Sequence, residues 1–435
     1  MKPYIVGCLM CITILSESCF DTHERFEPAT EEKIDNNGVI IEKPPVWVVS
    51  LSPDEFHIQS GMNPVVNDQI VVTTSNGESK EDWFLVGLSL EDGSEQWRWN
   101  DYVVNDFWYG NPSPQNGSYF LKKRSNASTN GGMSVYAIDS RDGSTHWINT
   151  KGRTLEAQVI THKDYVYTSF FDVNGADSSF FPTIYSINIA TGQMDSLTTP
   201  PIRKLHFDKY QKLYGSTNGL HAFTGKGGDD YMIIPYSERE AAQDSYGTIY
   251  VSLYNITKRT YEYTEKLLTT SAVSFMRPTV IYKESIVILN SNEILFGVDL
   301  YTGDIIWKKS YRDGVFSMII EDNVLVAAQV LGSDTKTFGI NPMTGTEFWS
   351  IPSGGGASTL KALNGIVYWK DRGDGDLYAV EALTGTKIWQ LDDPDPESDS
   401  WWRSDAVGIL PGENGEKGKI FASSHRRMYC FEAAR

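Results

Sequence analysis

Leu377-Tyr-Ala-Val-Glu381-Ala-Leu-Thr-Gly385-Thr-Lys-Ile-Trp389 is the stretch whose reading decides the fold. After the small residue Ala379 come a polar residue at two positions, Gly at six and Trp at ten. The same pattern recurs as Gly87-Ser89-Gly93-Trp97, Ala137-Asp139-Gly143-Trp147, Gly297-Asp299-Gly303-Trp307 and Gly339-Asn341-Gly345-Trp349. A further copy, Ser186-Asn188-Gly192-Ser196, lacks only the Trp. Full copies at fixed internal spacing mark a repeat protein.

Each copy reads as a hairpin. The lead-in, such as Ser134-Val-Tyr-Ala-Ile-Asp139, is β-rich and roughly alternating. Gly falls where a tight turn needs positive φ, and the strand that follows ends in a large apolar ring. The small first position leaves room for a neighbouring aromatic. Successive tryptophans at 97 and 147, 307 and 349, and 349 and 389 lie 50, 42 and 40 residues apart. Such a period holds a four-stranded antiparallel sheet with short turns, one propeller blade. The expected fold is all-β, a β-propeller of four-stranded antiparallel blades. Weak copies at Ala222-Gly228-Met232 and Ser252-Lys258-Glu262 end only 30 residues apart, at 232 and 262. Residues 197–266 are therefore read as one irregular blade with an extra hairpin, which gives eight blades; nine short intervals is the other reading. Met428-Tyr-Cys430-Phe-Glu432 repeats a lead-in strand with no Trp after it. Pro45-Val-Trp47-Val-Val-Ser-Leu51 supplies the missing outer strand, so N- and C-terminal strands are expected to close the ring and remove its open edge. Cys430 then takes the small docking position.

These residues resemble the repeat of pyrroloquinoline-quinone-like β-propellers, Ala-x-Asp-x-x-Thr-Gly-x-x-x-Trp, over 45–435. In that family the small residue, the Gly and the Trp dock adjacent blades, and the resemblance implies that role for the positions quoted above. The family's quinone dehydrogenases carry an adjacent Cys-Cys pair over the cofactor and a calcium held by carboxylates. This sequence has no such pair, and no position matches their catalytic motif, so the resemblance implies neither cofactor nor catalytic residue here.

Composition agrees with a strand-rich globular chain: Trp, Tyr and Phe make 12% of 435 residues, and charged residues only 22%. With 38 Lys+Arg against 56 Asp+Glu the net charge is −18, which argues against a nucleic-acid partner because no basic excess is available to displace counterions. Residues 1–19 read as an export signal: Lys2, then the uncharged apolar stretch Tyr4 to Leu15, then Ser16-Glu17-Ser18 before Cys19. The apolar run is too short to anchor a helix across a bilayer. Its ending resembles a bacterial lipoprotein signal, in which Cys19 would be acylated and become the first residue; Leu15 stands four positions before it. Residues 20–44 are acidic and polar and are expected to form a flexible tether, with the propeller at 45–435. Of the cysteines Cys8, Cys11, Cys19 and Cys430, the mature domain keeps Cys430 alone, so no internal disulfide framework is available.

Motifs for chemistry are sparse. No two of the seven histidines lie within five residues of each other, and neither a nucleophile elbow nor a phosphate loop is present. Asp371, Asp374 and Asp376 form a Gly-rich acidic turn loosely like a calcium loop, here read as a solvated turn. Trp401, Trp402 and Arg403, which follow the acidic run Asp392–Asp399, are the leading binding-surface candidates, and Trp108 and Tyr109 are lesser ones. The reading that follows is a non-enzymatic, lipid-anchored scaffold of the cell envelope, facing the periplasm or the cell surface, that presents a propeller to protein partners. Its lipoprotein signal, tether and propeller resemble the BamB family of outer-membrane assembly lipoproteins. The alternatives are a quinone- and calcium-dependent oxidoreductase, and a surface lipoprotein that binds a glycan, peptide or small molecule.

Overall fold

The computed structural model describes residues 28–50, 64–67, 69–75, 83–99, 113–124, 133–151, 159–173, 180–200, 216–217, 219–238, 247–272, 276–291, 293–312, 314–329, 335–353, 357–371, 375–392, 407–424 and 427–435. Their regular elements are all β-strands, gathered into eight sheets. In chain order the sheets cover 65–99, 113–151, 160–198, 216–272, 276–310, 315–352, 361–391 and 408–432, and are numbered blades I to VIII. The first strand of each blade touches the first strand of the next, and blade VIII touches blade I, which closes the ring.

Seven of the sheets, rather than eight, are regular blades built on four strands in one antiparallel path. Blade IV differs. Its innermost position is split between Ser216–Thr217 and His221–Thr224, which both pair with Asp230–Glu238. The two weak repeat copies are two hairpins of this one sheet, for Ala222 pairs with Met232 and the strand Gly247–Asn255 runs back into Thr260–Ala272. Blade VIII joins the two ends of the chain: Trp47–Ser50 pairs antiparallel with Arg427–Glu432, setting Trp47 opposite Cys430.

Burial explains why second strands read as unbroken apolar runs. Ile286–Ser291, Val324–Gln329 and Ile366–Lys370 are buried at every position, because a strand well inside the ring has a neighbouring blade on both faces. Outer strands such as Glu347–Pro352 alternate instead. The core is therefore a series of inter-blade layers. Between blades VI and VII, for instance, Val324, Val326 and Ala328 meet Leu360, Val367, Trp369 and Val380.

The repeat residues build the seams between these layers. In each full copy the small residue and the Trp are cross-strand partners, as in Gly87 with Trp97, Ala137 with Trp147 and Ala379 with Trp389. The ring that the small residue accommodates is thus the Trp of its own hairpin; a Cβ on Gly297 or Gly339 would collide with Trp307 or Trp349. In the copies that end at Trp97, Trp147, Trp307 and Trp349 the outer face of the same Trp covers the turn Gly of the next blade. A Cβ on Gly143 would lie 2.6 Å from Trp97, one on Gly345 2.8 Å from Trp307, and one on Gly385 2.6 Å from Trp349. The indole N–H then donates to a backbone carbonyl of that next blade: Trp97 to Ser140 at 2.8 Å, Trp147 to Ile189 at 2.9 Å, Trp307 to Pro342 at 2.9 Å and Trp349 to Ala382 at 2.9 Å. Trp47 of blade VIII does the same to Leu90 of blade I at 3.5 Å, and Tyr263 of blade IV stands in with its hydroxyl on Leu300 at 3.3 Å.

The polar residue at the second repeat position shapes the turn that carries that glycine. Asp299 accepts the backbone N–H groups of Tyr301 and Thr302 at 3.0 and 2.8 Å, and Asn188 those of Ala190 and Thr191 at 3.1 and 3.0 Å. Asp, Asn and Ser fit because short side chains with an acceptor can close such turns.

Part of the expected tether is built into the ring. Lys33–Ile34 and Ile40–Glu42 form a hairpin whose second strand lies parallel to Lys387–Leu391 of blade VII, with Ile40 opposite Trp389. The Lys43 ammonium sits 5.5 Å from the centre of the Trp389 ring, and Lys33–Glu42 and Lys43–Glu32 pairs at 2.7 and 2.6 Å flank the hairpin. Composition suggested a solvated linker here; the edge strand of blade VII supplies backbone partners that composition does not reveal.

The seam geometry sets an expected contrast. Gly345→Ala adds a Cβ against Trp307 at positive φ and should destabilise by about 2–4 kcal/mol. Gly227→Ala, whose Cβ would meet nothing within 4 Å, should stay within about 0.5 kcal/mol of the parent. Urea denaturation midpoints of the two variants check the pair.

Candidate functional site

The ring presents two unlike faces. One carries the connections from first to second and from third to fourth strand, including two-residue turns at 116–117, 163–164, 322–323 and 364–365. The other, the loop face, carries the remaining connections. These vary in extent, with long ones at 51–64, 100–112, 199–215 and 392–407. The first face is constrained by the repeat, because its glycines are buried under tryptophans. The loop face is free to differ from blade to blade, which is where binding residues concentrate on a rigid scaffold.

Trp401, Trp402, Arg403, Trp108, Tyr109 and Asp374 lie outside the described residues, as does Cys19. The connections that hold the first six start and end on the loop face. Asp371 and Asp376 are described, and both are buried, so the turn expected to be solvated is a packed one. The Asp371 N–H donates to the Asp376 carbonyl at 2.9 Å, Ala357 forms a bridge with Asp371, and Gln390 Nε2 donates to Asp376 Oδ2 at 2.8 Å. Among the described residues no three of His, Cys, Asp and Glu gather around a metal position.

Beside that turn lies a residue the sequence reading passed over. Lys370 ends the second strand of blade VII, is fully buried, and donates through Nζ to the Ser423 carbonyl of blade VIII at 3.2 Å. Its N–H donates to Ser358 Oγ at 2.9 Å, and its carbonyl accepts from Ser358 N at 2.8 Å. Comparable polar ties join other blades at this level: Asn290 to the Val315 carbonyl, Ala357 N to the Gln329 carbonyl at 3.1 Å, and Leu360 N to Ser317 Oγ at 2.9 Å. A lysine at the end of the apolar run Ile366-Val-Tyr-Trp-Lys370 was the available signal, since a buried lysine needs polar partners. The loop-face rim is thus braced by polar bonds, while the opposite face is braced by indoles.

One seam departs from both patterns. In blade III Ser186 is opposite Asp195 and Tyr185 opposite Ser196, so the Trp is missing and the cross-strand pairing is shifted too. Blade IV compensates with Tyr254, which donates to the Leu197 carbonyl at 3.3 Å, and Tyr261, which donates to that of Thr199 at 3.1 Å. On the tight-turn face Asp230 of blade IV meets blade III. Its Oδ1 accepts from Lys163 Nζ at 2.6 Å and from Thr224 Oγ1 at 2.7 Å, with His162 Nε2 at 3.1 Å. Burial acts to raise the Asp230 carboxyl, but the hydrogen bonds from Lys163, His162 and Thr224 outweigh it and hold the group down at about 2.

With this geometry in view the chain is a β-propeller built on a pyrroloquinoline-quinone-like repeat. Residues 291–422 match the family model described as outer membrane protein assembly factor BamB. Among solved structures, BamB from Moraxella catarrhalis is similar at 13% identity and TM-score 0.51, covering 88% of this chain and 100% of that one. Sqt1 from Saccharomyces cerevisiae gives 13% identity and TM-score 0.58, with 89% and 99% coverage. The quinohemoprotein alcohol dehydrogenase ADHIIG from Pseudomonas putida gives 11% and 0.57, with 90% and 77%. At such identities these likenesses concern the fold. No curated protein sequence matches the chain.

The adjacent cysteine pair of the quinone dehydrogenases is absent from the sequence, and Cys430 is fully buried opposite Trp47, where burial raises its thiol to about 12. Its role is packing at a seam.

The Asp230 cluster predicts acid sensitivity with a definite sign. A depressed carboxyl stabilises the fold above its unfolded value of 3.8, and that contribution is lost as pH falls through about 2. Asp230→Asn should lower the urea midpoint at pH 6 and show a smaller further loss between pH 4 and 2 than the parent. Equal losses in parent and variant over that range would exclude this role for Asp230.

Proposed function

We propose that the protein is a non-enzymatic binding scaffold of the cell envelope, exported and lipid-anchored through Cys19, which presents its loop face to protein partners. The observation that carries this reading is the asymmetry of the ring. One face is fixed by buried repeat turns, and the other holds connections of unequal length on braced strand ends. The family-model match over 291–422 and the fold shared with BamB support it, and suggest outer-membrane protein assembly as its setting. Within this reading Trp401, Trp402 and Arg403, beside the acidic run that begins at Asp392, form the leading contact, with Trp108 and Tyr109 on another loop-face connection. Such surfaces favour aromatic and arginine anchors.

A second reading, a quinoprotein oxidoreductase, is favoured by the fold shared with quinohemoprotein alcohol dehydrogenase. Tryptophan-lined loops would also suit a glycan or peptide at the cell surface. Photo-crosslinkers placed at Asp392 on the loop face and at Asp142 on the opposite face, in the membrane-bound protein, separate these readings. The scaffold predicts crosslinks to defined envelope proteins from Asp392 that are lost on Trp401→Ala/Trp402→Ala. Equal labelling from both positions, or a tight one-to-one complex with quinone and calcium in a spectral titration, would replace it.

A further inference from the structure

The blades share a repeat, so positions that the fold leaves free can be compared directly. Nine residues after the small residue, blades I, II and III carry Gln96, His146 and Asp195, while blades V, VI and VII carry Ile306, Phe348 and Ile388. Four residues after it the first three carry Glu91, Arg141 and Ala190, and the last three Tyr301, Met343 and Leu383. Polar residues at these positions are compatible with a folded blade, since blades I and II have them. Ile388 packs against the layer between blades VII and VIII, and Tyr301 lies edge-on to Tyr231 of blade IV; the apolar choice at the other four positions serves something other than the seam. The side chains are open to solvent: Ile306 is 48% exposed, Met343 47%, Phe348 53% and Leu383 62%. Ile34, on the hairpin docked to blade VII, is 60% exposed. Among the described residues, one side of the ring thus bears most of the large exposed apolar groups.

Chain length identifies what lies against that side. A free tether from Cys19 to Trp47 would reach about 95 Å, whereas the docked hairpin, which begins at Lys33, leaves fourteen residue steps from Cys19, about 48 Å when fully extended. A domain of this size is about 55 Å across. The short leash cannot carry the anchor past the far side, so the side that bears the hairpin is held toward the anchor.

We propose that the outer rim of blades V to VII, with the docked hairpin, rests on the lipid surface in which Cys19 is anchored. The proposal rests on the lipoprotein reading above and adds an orientation to it. Contact is apolar, through Ile306, Phe348, Leu383 and Ile34, as suits a protein whose net charge of −18 gives no electrostatic attraction to anionic headgroups. The ring then stands edge-on, which leaves the loop face open to partners.

The test uses the full acylated chain in vesicles of phosphatidylethanolamine and phosphatidylglycerol. Environment-sensitive labels are placed at Phe348→Cys or Leu383→Cys, with Glu91→Cys and Arg141→Cys as controls on the opposite side. Nitroxide-bearing lipid should quench the two rim labels by about twofold or more and leave the controls unchanged. Ile40→Asp with Lys43→Ala, which undocks the hairpin, should abolish that quenching while the protein stays membrane-bound. Equal quenching at rim and control positions would overturn the proposal. So would rim labels shielded from aqueous iodide yet untouched by nitroxide lipid, a result that would assign the rim to a protein partner. Fractionation of Cys19→Ser separates the two levels. A variant that stays in the membrane fraction refutes the anchor itself, whereas release of that variant without rim quenching in the parent refutes only the orientation.

Discussion

A single contact organises this molecule: an indole ring pressed between the small residue of its own hairpin and the turn glycine of the next blade. It has three parts that need one another. The small residue lets the ring lie flat, the absent glycine side chain lets the next blade approach, and the indole N–H satisfies a carbonyl that approach would otherwise bury. Each contact fixes one blade against the next, so the ring is stable through the sum of its neighbour interfaces, in the manner of repeat proteins. Trp47 extends the chain of contacts across the join between the first and last strands, and there Cys430 plays the part that Gly or Ala plays elsewhere.

Where the contact is lost, the substitutes show what it supplied. At the seam between blades IV and V the Tyr263 ring and hydroxyl replace the indole. Between blades III and IV no large ring takes that place, and the work is divided between two tyrosine hydroxyls and a carboxylate that accepts from Lys163 and Thr224. That seam depends on charge, through the pairing of Asp230 with Lys163. Blade VII meets a different need at its edge, and the hairpin 33–42 fills it by lying along the outer strand and placing Lys43 over Trp389.

Much of the architecture was legible because its cause is local. Gly at a fixed offset from Trp reports a turn and a packing site within one hairpin, and its recurrence reports the ring. The irregular blade was visible as two weak copies, although its split inner strand was not, since Ser216–Thr217 and His221–Thr224 are united only by a shared partner strand. The candidate site was far less legible. Asp371 and Asp376 look like a solvated turn in sequence, and they are buried where Ala357 bridges to Asp371 and Gln390 bonds Asp376. Lys370 carried no motif at all; its meaning comes from the Ser423 carbonyl, 53 residues away.

The sequence by itself determined the all-β class, the propeller, the closing strand at Trp47 and the residues of every indole seam, because spacing within one hairpin encodes each of them. Only the tertiary structure decided the rest: that the hairpin 33–42 is part of the ring, that the acidic turn is a core element, and that the repeat's free positions gather their apolar members on one side. Those outcomes depend on which blades are neighbours and which edges remain open. Such relations join residues far apart in the chain, so no local pattern could have carried them.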